Sequence, residues 1–126
     1  MMNVMPWRPP SGVSGTMAAF DRDMEAVCVE MGYTKEQVAG TSREKEIVRL
    51  RHLMMCIARY EYDMSTVRVG KIFSKDHSSV IYGTKKIQEL YHKNEFGFFL
   101  TVCLQTSERL FYEHWGHNFQ KVAKWP

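Results

Sequence analysis

Apolar residues along this chain recur three and four positions apart in several stretches, the spacing that stacks side chains on one face of an α-helix. Met24, Val27, Cys28 and Met31 form the first such stripe, with Asp21 placed to cap it and Gly32 to end it. Thr34 then opens a short helical turn, Gln37 completes a Thr-x-x-Gln capping box three residues on, and Gly40 closes the turn. A long helix follows, capped by Ser42 or Thr41, with Glu44 and Glu46 where the helix dipole favours acids. Its buried stripe is Ile47, Leu50, Met54 and Ile57, widened by Ala58; the stripe fails around Asp63, so the helix should end near Tyr62.

A compact pair comes next. Ser65 caps a short helix holding Val69, Ile72 and Phe73, in which Gly70 is small enough to let another helix approach. After a break over residues 73–75, a second helix carries Val80, Thr84, Ile87 and Tyr91 at 4-3-4 spacing. A short helix, a tight turn and a longer helix with a polar first turn make a helix-turn-helix pattern, which many helical hairpins share. Residues 96–104 and 110–115 read as two closing helices, and 119–126 as a tail. No repeat and no convincing strand is present, so the expected fold is all-α. The expected division is a flexible Gly, Pro, Ser and Met-rich leader (1–18), one helical domain (19–106), and a helical extension with a tail (107–126).

At 126 residues the chain has the size of one ordinary domain, and 44% hydrophobic residues are enough to bury a core. It has no Walker-type glycine loop, and its longest mainly apolar run, 96–104, is half a membrane span. The amino terminus lacks the unbroken apolar stretch of a signal peptide, and three cysteines without a CxxC pair suit reduced thiols in the cytoplasm. The net charge of +3 is mild, but it is segregated. Residues 41–93 hold eleven basic and six acidic side chains, whereas 1–40 are net negative and 94–126 neutral. Any footprint for a polyanion must therefore lie in the middle segment.

That segment also contains the most chemically dense turn. Lys75, Asp76, His77, Ser78 and Ser79 open the second helix of the pair. Successive helical residues fan out by about 100°, so Asp76, His77 and Ser78 cannot form a hydrolytic triad with one another. Their donors and acceptors suit base edges and phosphate oxygens outside the protein. The plainer reading is that Ser and Asp cap the helix while His77 points into solvent.

The run Ser74-Lys75-Asp76-His77-Ser78-Ser79-Val80-Ile81-Tyr82-Gly83 resembles the G-R-D-H-[ST]-[ST]-V-[LI]-H-A signature of the carboxy-terminal DNA-binding domain of the bacterial chromosomal replication initiator DnaA. Residues 42–55 resemble that family's S-R-x-R-x-I-V-x-A-R-Q-x-A-M segment, and Val69-Gly70-Lys71-Ile72-Phe73 its I-G-x-x-F. The resemblance covers roughly 21–104. It implies a helical bundle of the DnaA carboxy-terminal, Trp-repressor-like kind, binding a short asymmetric A·T-rich duplex site. On this resemblance Asp76, His77, Ser78 and Ser79 read base edges in the major groove, with Tyr82 and Gly83 at the rim of the reading face. Arg43 matches the arginine that enters the neighbouring minor groove. Arg51, His52, Arg59 and Lys75 match or neighbour phosphate-holding positions, Thr66 and Val67 the backbone-contacting start of the short helix, and Lys85 and Lys86 fit a weaker phosphate role. Three departures alter the expected site: Ser79 replaces the usual threonine, Tyr82-Gly83 replace His-Ala, and His52 replaces a glutamine.

The residues thus point to a module without ATPase or self-assembly domains, binding double-stranded DNA as a monomer and competing with or assisting a full-length initiator. It would act near the nucleoid of a bacterial cell or phage-infected host. No cofactor, metal, membrane contact or enzymatic activity is expected. His114 and His117, with Glu113 nearby, lack the further ligands of a tetrahedral zinc site. The alternative is a protein-interaction module or transcriptional regulator that kept the fold but altered or lost DNA reading, with Tyr82, Phe96, Phe98, Phe99, Phe111, Tyr112 and Trp115 forming an apolar patch for a partner.

Overall fold

The computed structural model describes residues 13–120 and 122–126. The described residues form six α-helices and one 3-10 turn, with no strand among them: α1 (Val13–Glu30), α2 (Lys35–Ala39), α3 (Lys45–Tyr60), α4 (Thr66–Phe73), α5 (His77–His92), α6 (Gly97–Trp115) and η1 (Val122–Lys124). The all-α expectation holds. The buried stripe of α3 is wider than its spacing suggested, because this helix is sandwiched. Leu50, Leu53, Met54, Met55, Cys56, Ile57 and Ala58 are all buried, with α5 against one side and α6 against another. α1 packs on α6, and α4 sits against α5.

Three boundaries differ from expectation, each for a local reason. α1 begins at Val13, so residues 13–18, assigned to the leader, are its first turns; residues 1–12 lie outside the described residues. Its apolar stripe runs back from Met24 to buried Phe20, one turn earlier. Asp21 accordingly sits inside the helix, and its carboxylate pairs with Lys35 Nζ at 2.7 Å, tying α1 to α2. α3 is capped by the extended backbone of Glu44 without a side-chain cap bond, while Ser42 Oγ accepts from the Glu44 N–H at 3.2 Å. The two expected closing helices are one continuous helix, α6. The polar residues 105–109 do not break it, since the buried spacing continues through Leu100, Cys103, Ser107 and Leu110. Ser107 satisfies its hydroxyl within the helix by donating to the Cys103 carbonyl at 2.8 Å.

The helix caps of the compact pair match the sequence. The Ser65 hydroxyl accepts from the Arg68 N–H at 3.2 Å, and the Asp76 carboxylate accepts from the Ser79 N–H at 3.0 Å. Between them Ser74 adopts the left-handed conformation (φ 54°), and the Lys75 N–H donates to the Gly70 carbonyl at 2.9 Å. The neighbour that needs Gly70 small is this turn itself: a Cβ there would stand 2.4 Å from the Lys75 carbonyl oxygen. The turn is locked onto α4, which fixes the direction in which α5 leaves it.

The tail is part of the core. Phe119, Val122 and Trp125 are buried, and the Trp125 indole donates to Glu61 at 2.6 Å. Burial pushes the Glu61 carboxyl up to about 7. Cys28, Cys56 and Cys103 are fully buried small residues whose thiols burial pushes well above their ordinary pKa, so their thiolates are scarce.

Candidate nucleic-acid interface

The first turn of α5 stands free of the core. Asp76, His77, Ser78 and Ser79 are exposed, and the next residue, Val80, is fully buried and anchors the helix behind them. The plainer reading of this turn holds, and its exposed groups remain open to an outside partner. Asp76 caps the helix through Oδ1, which fixes its carboxylate at the mouth of α5. His77 and the hydroxyls of Ser78 and Ser79 make no hydrogen bond to other described residues, so their donors and acceptors face outward.

Two grooves lie where α3 and α5 meet, one at this turn and one further along α5. One, of about 340 Å³, is lined by Arg51, His52, Met55, Lys75, Ser78, Ser79 and Tyr82. The other, of about 400 Å³, has a floor of Val48, Ile87 and Leu90, with Arg43, Lys45, Arg49 and Lys86 around it. His52 and Tyr82 line both. The structure thus gathers Arg51, His52, Lys75, Ser78, Ser79 and Tyr82 at the first groove, and Arg43 and Lys86 at the second. Arg59, Thr66, Val67 and Lys85 line neither groove. Thr66 is half-buried at the start of α4 beside exposed Val67, and Lys85 is exposed on α5.

Two of the phosphate-holding expectations are corrected. Arg51 is only 5% exposed; its Nε donates to the Val38 carbonyl at 2.7 Å and its Nη2 to the Ser42 carbonyl at 3.0 Å. Its guanidinium ties α2 and the following turn to α3, and burial lowers its pKa without discharging it. It lines the groove with two of its five N–H donors committed to the scaffold. His52 is held at a pKa of about 4, by burial first and then by the Arg51 and Lys86 charges, so at neutral pH it is an uncharged imidazole. It can offer a hydrogen bond to a phosphate and no cation. Arg59 is half-buried, donating to Thr84 Oγ1 at 3.3 Å with its guanidinium 5.2 Å from the Tyr60 ring.

Gly83 is buried, not at the rim. A Cβ there would meet His52 Cδ2 at 2.7 Å and Met55 Sδ at 3.1 Å, so its bare backbone lets the imidazole lie against α5. Lys45 and Arg49 were missed. They are four residues apart on α3, the spacing that puts two side chains on one face, and neither makes an ion pair with a described residue. With Arg43 they give the second groove three cations without an ion pair to any described residue.

The sequence that builds this face is similar to that of known proteins. The bacterial dnaA protein helix-turn-helix model matches residues 21–87. This chain belongs to that family. It carries the DnaA-type DNA-binding helix-turn-helix, with α4 as the first helix of the motif and α5 as the second. The chromosomal replication initiator protein DnaA of Picosynechococcus sp. is 33% identical over 98 residues, covering 77% of this chain and 21% of that protein. The protein of the same name from Kosmotoga olearia is 38% identical over 68 residues, 54% of this chain and 15% of its own. The chain thus spans about a fifth, or less, of the length of these curated DnaA relatives. No solved structure matches it. Among the described residues, no group of three His, Cys, Asp or Glu is placed to hold a metal, and no helix is long and apolar enough to cross a membrane.

Proposed function

We propose that this protein binds double-stranded DNA at a specific A·T-rich site of the kind its DnaA relatives' name associates with replication initiation, as a binding module that needs no ATP hydrolysis. The observation that carries this reading is the exposed first turn of α5, with His77, Ser78 and Ser79 unengaged, beside a groove lined by Lys75, and with Arg43, Lys45 and Arg49 around a second groove further along α5. In this reading α5 enters the major groove and His77, Ser78 and Ser79 meet base edges, with Asp76 accepting from a base amino group through its second oxygen. Arg43, exposed just before α3, reaches the adjacent minor groove, where A·T tracts concentrate negative potential. Lys75, Lys86, Lys45 and Arg49 hold phosphates, with Arg59, Lys85 and the α4 start at Thr66 and Val67 flanking them. The protein binds as a monomer, as the short asymmetric site implied by the family resemblance requires, and competes with a full-length initiator for shared sites.

Fluorescence anisotropy against an A·T-rich initiator-type duplex and its scramble, at two salt concentrations, tests this. A preference of about a hundredfold for the site supports base reading. His77→Ala should then cost about 1–3 kcal/mol on the site and little on the scramble. Equal losses on both would remove His77 from the reading set. If neither duplex binds, the interaction-module reading gains. It rests on Phe98, 85% exposed near the start of α6, just past the cationic segment.

A further inference from the structure

Tyr82 is a large aromatic side chain left 59% exposed on a helix whose exposed neighbours are polar, and it lies between the two grooves. An exposed aromatic on a helix ordinarily moves among rotamers. This one is held. The His52 ring meets it edge to face, with centroids 6.0 Å apart and planes at 82°, and the Lys86 ammonium stands 6.0 Å from its centroid. His52 is itself wedged against the bare backbone of Gly83, where any Cβ would displace it. Because burial keeps that imidazole uncharged at neutral pH, the pair forms an uncharged aromatic ridge between two cation-lined grooves.

Tyr82 also follows Ser78 and Ser79 by four and three residues on α5, so it continues their face one turn further along. The ring borders the same groove as those hydroxyls. In a major groove the base-edge group that an apolar ring can recognise is the C5 methyl of thymine. We propose that Tyr82 is a specificity-determining residue that packs its ring on one thymine methyl of the bound site, and that His52 is the positioning residue that holds it there. This rests on the duplex-binding reading above, and it assigns to one side chain a preference that phosphate contacts cannot supply. Fixing the ring before DNA arrives removes the ordering cost that a mobile aromatic would impose on binding.

The test is selection of a preferred site from a random duplex pool by the full chain, followed by replacement of each thymine in that site with deoxyuridine, which removes only the methyl. Wild-type protein should lose affinity at one thymine next to the Ser78 and Ser79 contacts by about fourfold, the worth of one buried methyl. Tyr82→Ala should bind the parent site about fourfold more weakly and be indifferent to uracil at that position, while Tyr82→Phe keeps the full response. His52→Ala should reduce the response to uracil with the salt dependence unchanged, and His52→Phe, which restores a ring, should recover it. Far-ultraviolet circular dichroism and a thermal melt establish that each variant is folded. If Tyr82→Ala retains the wild-type uracil response at every thymine, or weakens all duplexes equally, the ring does not read a methyl and the proposal is overturned while duplex binding stands. If the wild type selects no sequence at all, the duplex-reading function and this assignment fall together.

Discussion

Arginine has two opposite fates in this molecule. On the face formed by α3 and α5, Arg43 and Arg49 lie beside a groove without a carboxylate partner among the described residues. Where α1 meets α6, Arg109 is bound by Glu30 at 2.6 Å and by Glu113 at 3.3 Å. The same contrast holds for buried groups. The α1–α6 pole buries Asp23, 4% exposed, whose carboxylate accepts from the Tyr62 hydroxyl at 2.5 Å, from the Trp115 indole at 3.1 Å and from His114 Nδ1. That pole uses charge to join α1, α6 and the turn after α3, whereas the α3–α5 face leaves cations without a carboxylate partner among the described residues. The difference shows that a basic segment is only an upper bound on a polyanion footprint. Arg51 belongs to the segment by sequence and to the scaffold by its hydrogen bonds.

The largest effect expected is therefore at the pole. Asp23→Ala strips the partner from a buried phenol and an indole at once, and should destabilise the fold by about 3 kcal/mol in urea denaturation. The site preference of the fraction that remains folded should be unchanged. A loss of preference without a loss of stability would erase the division between the two regions.

Arg51 and Arg43 sharpen it. Arg51→Ala leaves the Val38 and Ser42 carbonyls without their donor and should cost about 2 kcal/mol of stability. Arg43→Ala, at an exposed and unpaired position, should cost less than about 0.5 kcal/mol of stability but weaken duplex binding by about 1 kcal/mol or more. Parallel urea titrations and anisotropy curves on the two variants would reveal a reversed pattern.

A smaller effect concerns pH. The Glu61 carboxyl is raised to about 7 in the fold from an ordinary value of 4.5, so the folded state holds its proton more tightly than the unfolded chain. Its contribution is present in full below about 4.5 and is lost as pH rises from there through about 7. Glu61→Gln should remove this component, so the difference in melting temperature between variant and wild type should shift in favour of the variant from pH 4.5 to pH 8. An unchanged difference across that range would mean that Glu61 titrates normally. Smallest of all, Arg59→Ala should weaken every duplex alike and flatten the plot of log affinity against log salt by about one unit.

The helix-turn-helix was legible because its determinants are local. Ser65 and Asp76 cap through their own side chains, and Val80, Thr84 and Ile87 keep a strict helical period. The polar stretch at 105–109 misled because a helix tolerates polar residues if the buried spacing persists, and Ser107 hides its hydroxyl within its own helix. The start of α1 was missed because the Gly, Pro, Ser and Met-rich stretch ahead of Phe20 shows no apolar period. At the site, the composition of the α5 turn was visible, but the partners of Arg51 come from Val38 and Ser42, thirteen and nine residues away, and no periodicity shows them. Lys45 and Arg49 were readable as a four-residue pair on one helix face; what they lacked in the sequence was the groove between them and α5.

The sequence alone therefore determined the helical class, the order of the helices, the caps of the α4–α5 pair and the side-chain chemistry of the reading turn, since each depends on contacts within a few residues. Tertiary structure decided which cations remain free, that His52 is neutral, that Gly83 makes room for its ring, and that Tyr82 stands as a ridge between two grooves. Those properties depend on desolvation and on approach between α3 and α5, which bring together residues about thirty positions apart and leave no periodic trace along the chain.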